Sequence, residues 1–182
     1  NKLKNMKQRI TEGLEPNAVG NENYIIWGPP GSGKSYFVKE LSQSLDEDVH
    51  YQEINLAKLD QDQFRKELIK LEKIEKPCIC LVDEVDSESA GKWAYETLLT
   101  YLFPTIPRKF RICFILAGSS GLNIGEMKKK ITSHNKGSDL LSRVLSTNEY
   151  IIPRLDVGDN LIVGAIQLIK TVVNGKCRRF PA

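Results

Sequence analysis

No stretch of about 18 consecutive apolar residues occurs in the 182-residue chain, so no segment is built to cross a bilayer as a helix. The first ten residues, Asn1 to Ile10, alternate lysine with polar and apolar types instead of forming the apolar core of a secretory signal. The chain therefore reads as intracellular, with a cytoplasmic location and no membrane partner expected. Neither sign of charge dominates: 26 basic against 23 acidic residues leave +3, too little to argue for a nucleic-acid partner from charge alone. Cysteine is scarce too, and four of them do not make a disulfide framework in a chain of this length. Cys78 and Cys80 alternate within "PCICLVD" and so point to one side of a strand, while Cys113 lies in the similar "RICFIL". C-x-C within a strand is a poor match to zinc-ligand spacing, and buried, unligated thiols are expected. Internal repeats and low-complexity tracts are also missing. What is present, at 41% hydrophobic residues, suffices for the core of one domain.

Apolar runs alternate with amphipathic stretches along most of the chain. Leu3, Met6, Ile10 and Leu14 have helical spacing, and the loop "LEPNAVGNEN" follows them. The pattern then predicts a strand over 24–28, helix 33–45, strand 49–54, helix 60–74, strand 78–83, helix 87–103 and strand 110–117. Strands separated by helices imply a parallel sheet covered on both faces, a three-layer α/β/α fold. Asp60 is the expected N-cap of the helix carrying Phe64, Leu68 and Leu71. Between 118 and 144 the pattern weakens to a glycine-, serine- and lysine-rich segment with at most one short helix. "EYIIP" reads as a fifth strand, and a further helix starts near 158. The expected organisation is an N-terminal helix and linker over 1–20, a core over 21–155 and a C-terminal helical segment from 156 to 182.

Between the first strand and the helix after it stands Gly28-Pro29-Pro30-Gly31-Ser32-Gly33-Lys34-Ser35, a full match to G-x-x-x-x-G-K-[ST] in the context that motif requires. Glycines let the loop wrap closely and turn backbone N–H groups inward, and the helix beginning near Gly33 offers its unpaired N–H groups and positive dipole end to phosphates. Lys34 is placed to reach the β- and γ-phosphates of a nucleoside triphosphate, and Ser35 to ligate Mg²⁺. Tyr36, next in line, is counted with the cofactor-binding residues.

Forty-nine residues after Lys34, the buried strand "CICLVD" ends in Asp83 and Glu84. A nucleotide hydrolase needs one carboxylate there to hold Mg²⁺ and another to position the attacking water; Asp83 suits the first role and Glu84 the second. Asp86 and Glu88 read as acidic decoration at a helix N-terminus. A GTPase would want D-x-x-G after its strand and N-K-x-D later, whereas this chain has Asp83-Glu84-Val85-Asp86 and "NKGSD". The adjacent glutamate favours hydrolysis of ATP over transfer to a small molecule.

Taken together, "IIWGPPGSGKS" and "CLVDEVD" resemble the Walker A and Walker B segments of the AAA+ ATPases, and the resemblance runs over roughly residues 20–155. It implies a polar γ-phosphate sensor at the end of the fourth strand, matched here by Ser120 with Ser119 beside it. It also implies an arginine near a helix end that reaches a neighbouring subunit's nucleotide, matched by Arg143 in "SDLLSRVLSTNEYIIP", with Arg154 as a second candidate. The implied protein is an ATP- and Mg²⁺-dependent module that remodels or loads a macromolecular partner as a homo-oligomer or ring. The alternative is a slow, nucleotide-controlled switch on the same core. Two features depart from the family pattern. The loop "INLAKLDQDQF" lacks the aromatic-apolar-glycine element of members that thread polypeptide, and the arginine of the C-terminal lid has no match, because Arg178 and Arg179 come too early.

Lys128, Lys129, Lys130 and Lys136, near His134, mark the 118–137 segment as a possible contact for protein or nucleic acid. Four lysines on a flexible loop could each meet a phosphate, although such runs are more often solvated surface. His134 alone argues for neither metal nor catalysis.

Overall fold

The computed structural model describes residues 2–16, 18, 22–45, 48–104 and 108–153. Within them the chain runs α1 (Lys2–Leu14), β1 (Tyr24–Trp27), α2 (Lys34–Gln43), β2 (His50–Asn55), α3 (Gln61–Glu72), β3 (Cys78–Asp83), α4 (Glu88–Leu102), β4 (Ile112–Gly118), α5 (Ile124–Thr132), α6 (Gly137–Ser142), a 3₁₀ turn at Ser146–Asn148 and β5 (Glu149–Ile151). The helix expected from 158 and Arg154 lie outside the described residues.

All strand pairs are parallel and the sheet order is β2-β3-β4-β1-β5. That order follows from connection lengths and handedness. Helix α2 carries the chain from β1 out to the edge strand β2, and α3 and α4 step it back inward to β3 and β4. Right-handed crossovers in opposite directions put their helices on opposite faces. Accordingly Met6, Ile10, Leu14, Val38 and Leu41 of α1 and α2 share one core with Ile26, Ile79, Leu81 and Cys113. Phe64, Leu68, Ala94 and Leu98 of α3 and α4 share the other with Ile25, Cys78, Cys80 and Val82. Each inner strand alternates between the two cores, the period-2 consequence of being covered on both sides. The thiols of Cys78, Cys80 and Cys113 are buried and unpaired, and burial pushes that of Cys78 up to about 12.

Local signals agree with this frame. Asp60 caps α3, its side chain accepting from Gln63 N–H at 2.8 Å while Gln63 Oε1 accepts from Asp60 N–H at 3.0 Å, a reciprocal capping box.

The segment between β4 and β5 overturns the sequence expectation. Two helices stand where at most one was expected, and Lys128, Lys129 and Lys130 lie on α5 instead of a flexible loop. Asn123 caps α5 by accepting from Glu126 N–H at 3.0 Å, and Met127, Ile131 and Leu140 bury an apolar stripe against the α4 side of the sheet. Gly137 permits the tight corner into α6: a Cβ there would lie 1.8 Å from the Ile131 carbonyl oxygen. Three of the four lysines are taken by carboxylates, Lys128 with Glu149, Lys130 with Glu88 at 3.6 Å and Lys136 with Asp139 at 3.3 Å.

Among the described residues no helix is long and apolar enough to cross a membrane. Replacing Asp60 by alanine removes one partner of the capping box and is expected to cost about 1 kcal/mol. Urea denaturation should show a lower midpoint with an unchanged slope.

Candidate nucleotide site

Strands β1, β3 and β4 deliver their C-terminal ends side by side, and the polar residues of the site begin where these strands stop. β1 ends at Trp27 and passes directly into the glycine loop. Gly28 is required by its neighbours, since a Cβ would sit 2.5 Å from Ser32 Oγ and 2.9 Å from the Ile152 carbonyl. Gly31 and Gly33 are required by conformation instead: their φ values are 75° and 80°, in the left-handed region. Gly33 is also the N-cap of α2, and no side chain caps the N–H groups of that first turn. Pro30, Gly31 and Gly33 are exposed, Pro29 is half-buried, and Tyr36 stands exposed on the first turn of α2.

Lys34 is 7% exposed and its Nζ donates to the Gly28 carbonyl at 2.9 Å, which keeps the ammonium inside the loop. Ser35 Oγ donates to Asp83 Oδ2 at 3.2 Å, joining the glycine loop to the end of β3 although β4 lies between β1 and β3. The other carboxylate oxygen, Asp83 Oδ1, accepts from Glu84 N–H at 2.9 Å. Glu84 has φ 56°, a conformation that a side-chain-bearing residue adopts only when its surroundings insist. They do so here: Leu56 N–H donates to the Asp83 carbonyl, Val85 N–H to Ala117 and Ser87 N–H to Glu84, each at 3.0 Å. Burial raises the proton affinity of the Glu84 carboxyl above the ordinary value, the charges of Asp83 and Asp86 raise it further, and Lys34 and Lys130 oppose them.

The structure thus brings Lys34, Ser35, Asp83 and Glu84 together as the sequence spacing suggested. The tip of β4 joins them through residues that the sequence reading passed over. Asp86 is not decoration at a helix N-terminus, because Ser87 is the cap of α4 and Asp86 turns inward, 2% exposed. Its Oδ2 accepts from Ser119 N–H at 2.9 Å and Ser120 N–H at 2.6 Å, so this carboxylate fixes the backbone of both serines. Gly118 has no room for a side chain there, since a Cβ would lie 2.7 Å from the Asp86 carboxylate. Trp27 Nε1 donates to the Ser120 carbonyl at 3.1 Å and ties the same tip to β1. The spacing of Asp86, three residues past Asp83, was the one available sign, and it reads equally well as a cap.

Arg143 is placed elsewhere. It caps the C-terminus of α6, and its carbonyl accepts from Asn23 Nδ2 at 3.3 Å. Asn23 precedes β1, so Arg143 is held at the end of that strand opposite the glycine loop. Five residue-to-residue steps of about 3.3 Å, from Asn23 to Gly28, separate the two ends, roughly 16 Å.

The donor set suits a nucleoside triphosphate with Mg²⁺. Ser32 Oγ and Ser120 Oγ are buried and have no hydrogen-bond partner among the described residues, and buried hydroxyls of that kind want one. No group of three or more His, Cys, Asp or Glu side chains that could hold a metal occurs among the described residues. One hydroxyl and one carboxylate, Ser35 and Asp83, are nonetheless what Mg²⁺ takes from protein when phosphates and water complete its shell.

The raised proton affinity of Glu84 has a stability consequence. Below the ordinary carboxylate range Glu84 is protonated in the folded and unfolded chain alike and makes no difference. As pH rises through its folded-state value the buried charge must form, and folded stability falls. Glu84→Gln should therefore melt at a higher temperature than the parent at neutral pH, and thermal melts below about pH 4 should show that gap closed.

The sequence model of the ATPase family associated with various cellular activities (AAA) matches residues 24–134, from the start of β1 to just beyond α5. A search of the curated proteins returned no match. The match covers more than half of the chain, and with the five-stranded parallel sheet and the joined glycine and Asp-Glu motifs it makes this chain a member of the AAA family, a nucleotide-binding module of ATPase type.

Proposed function

We propose that the chain binds ATP with Mg²⁺, hydrolyses it, and couples hydrolysis to remodelling or loading of a macromolecular partner while subunits associate head to tail. The observation that carries this reading is the Ser35–Asp83 hydrogen bond at 3.2 Å with Glu84 beside it, which gathers the residue types of triphosphate hydrolysis at one edge of the sheet.

On this reading each side chain has a distinct task. The loop from Gly28 to Gly33 turns backbone N–H groups toward the phosphates. Lys34, now held by the Gly28 carbonyl, exchanges that acceptor for the β- and γ-phosphate oxygens. Mg²⁺, when bound, would supply neutralisation of the phosphate charge. Ser35 and Asp83 would hold the ion. Glu84 accepts the proton of the attacking water, and its raised proton affinity makes it a stronger base than a fully solvated glutamate. Ser120, its backbone fixed by Asp86, offers a hydroxyl to the γ-phosphate. Arg143, at the far end of β1 from its own loop, serves a neighbouring subunit, where an arginine stabilises the charge that develops on the transferred phosphoryl.

Lys34→Ala should abolish ATP binding, with calorimetry in Mg²⁺ giving no heat where the parent gives a saturable signal. Glu84→Gln should keep the parental affinity and lose turnover, about a hundredfold or more for a general base. An unchanged rate would remove Glu84 from the mechanism.

The trans role of Arg143 has its own consequence. Arg143→Ala subunits still bind ATP and can receive an arginine, whereas Lys34→Ala subunits cannot bind but can donate one. Mixing the two inactive proteins at concentrations that form mixed oligomers should restore part of the turnover. Mixed oligomers without activity, or parental turnover that is slow and independent of protein concentration, would favour the nucleotide-controlled switch.

A further inference from the structure

Arg143 differs from several other cations among the described residues. Arg9, Lys128, Lys130 and Lys136 each sit against a carboxylate. The guanidinium of Arg143 makes no ion pair among the described residues and lies instead over the ring of Phe103, 4.9 Å from its centroid. Phe103 is itself anomalous, an aromatic side chain 58% exposed immediately after the last residue of α4.

The backbone beneath the pair is pinned by a buried amide. Asn23, 1% exposed, donates through Nδ2 to the carbonyls of Leu102 and Arg143, both at 3.3 Å, and its Oδ1 accepts from Phe114 N–H at 3.4 Å. Asn148, fully buried, donates to the Asn23 carbonyl at 2.9 Å and to Glu22 Oε2 at 2.9 Å. Two chain segments forty residues apart, the end of α4 and the end of α6, are thereby fixed to one side chain at the foot of β1. The ring and the guanidinium issue from neighbouring positions on that anchor.

We infer that Phe103 is the positioning residue of Arg143: its exposed ring is a shelf that holds the guanidinium extended over the surface for the phosphates of a second copy of this chain. The inference rests on the trans role proposed for Arg143 and adds the device that makes it effective. An arginine on a helix end samples many rotamers, and those that fold it onto a neighbouring carboxylate are unproductive. Stacking on a ring restricts the side chain, leaves the N–H edges free for an anion, and neutralises none of the charge. A carboxylate partner would restrict it equally but would neutralise it. The shelf therefore acts on the rate and leaves nucleotide affinity alone, because it lies at the end of β1 remote from its own loop.

The test is ATP turnover of the associated chain at a protein concentration where the rate per subunit has levelled off. Phe103→Ala should lower kcat about fivefold, the worth of one exposed cation–π contact, with KM for ATP and the thermal midpoint close to parental. Phe103→Trp should keep the parental rate, since it keeps an aromatic face. Phe103→Leu should be as slow as the alanine variant, because it keeps apolar bulk without the face. In the Arg143→Ala background, Phe103→Ala should have no further effect. A normal rate for Phe103→Ala beside an impaired Arg143→Ala overturns the shelf and leaves the trans arginine standing. A normal rate for Arg143→Ala overturns both. Recovery with leucine, or a further loss in the Arg143→Ala background, would make Phe103 a packing contact and sink the inference.

Discussion

A strand buried on both faces cannot carry polar side chains along its length, so its chemistry has to begin where it ends. β3 is buried from Cys78 to Asp83, and β4 is buried from Cys113 to Gly118. With the strands all parallel, their ends fall at one edge of the sheet, the place where open α/β folds put ligands. Trp27-Gly28, Asp83-Glu84 and Ser119-Ser120 are there because no earlier position could take them. The sheet order adds a second constraint. β4 separates β1 from β3, so the loop after β1 has to reach across a strand to meet Asp83. The Ser35–Asp83 bond closes that span, and Trp27 and Asp86 secure the intervening tip from both sides.

The legible part of this arrangement is the part written in short range. The glycine loop, the alternating Cys78 and Cys80, the Asp-Glu pair and the Asp60 cap each depend on neighbours within a few positions, and the structure has them where the pattern implied. What escaped the reading depends on partners far along the chain. Asp86 has the composition of a helix cap and becomes a backbone clasp only because β4 ends beside it. Asn23 looks like one more polar residue of a loop, yet its acceptors lie at Leu102 and Arg143. The two helices between β4 and β5 were hidden by glycine, serine and lysine, residues that read as loop while Met127, Ile131 and Leu140 supply the apolar side. The loop placement of Lys128, Lys129 and Lys130 failed for the same reason, and the carboxylate partners of Lys128 and Lys130 are far away in sequence.

The turn after β3 shows how local strain is kept. A glutamate at φ 56° costs on the order of 1–3 kcal/mol relative to relaxed backbone. Glycine would relieve it but would remove the carboxylate. The turn keeps glutamate because hydrogen bonds from Leu56, Val85 and Ser87, with Asp83 Oδ1 accepting the Glu84 N–H, leave the chain no other path. Burial, with the charges of Asp83 and Asp86, raises the proton affinity of Glu84, so one turn carries both the strained backbone and the perturbed carboxyl.

Opposite ends of one short strand thus serve different purposes. β1 is four residues long, with the glycine loop at one end and Asn23 at the other, where a second buried hydrogen-bond network holds Leu102 and Arg143. Each end is rigid, and the strand between them is locked in the sheet by β4 and β5. A rigid separation of that kind keeps an arginine away from the phosphates of its own subunit, however flexible its side chain. If the arginine acts on phosphate at all, the sheet itself directs it outward, and dependence on a neighbour follows from strand length more than from any property of the arginine.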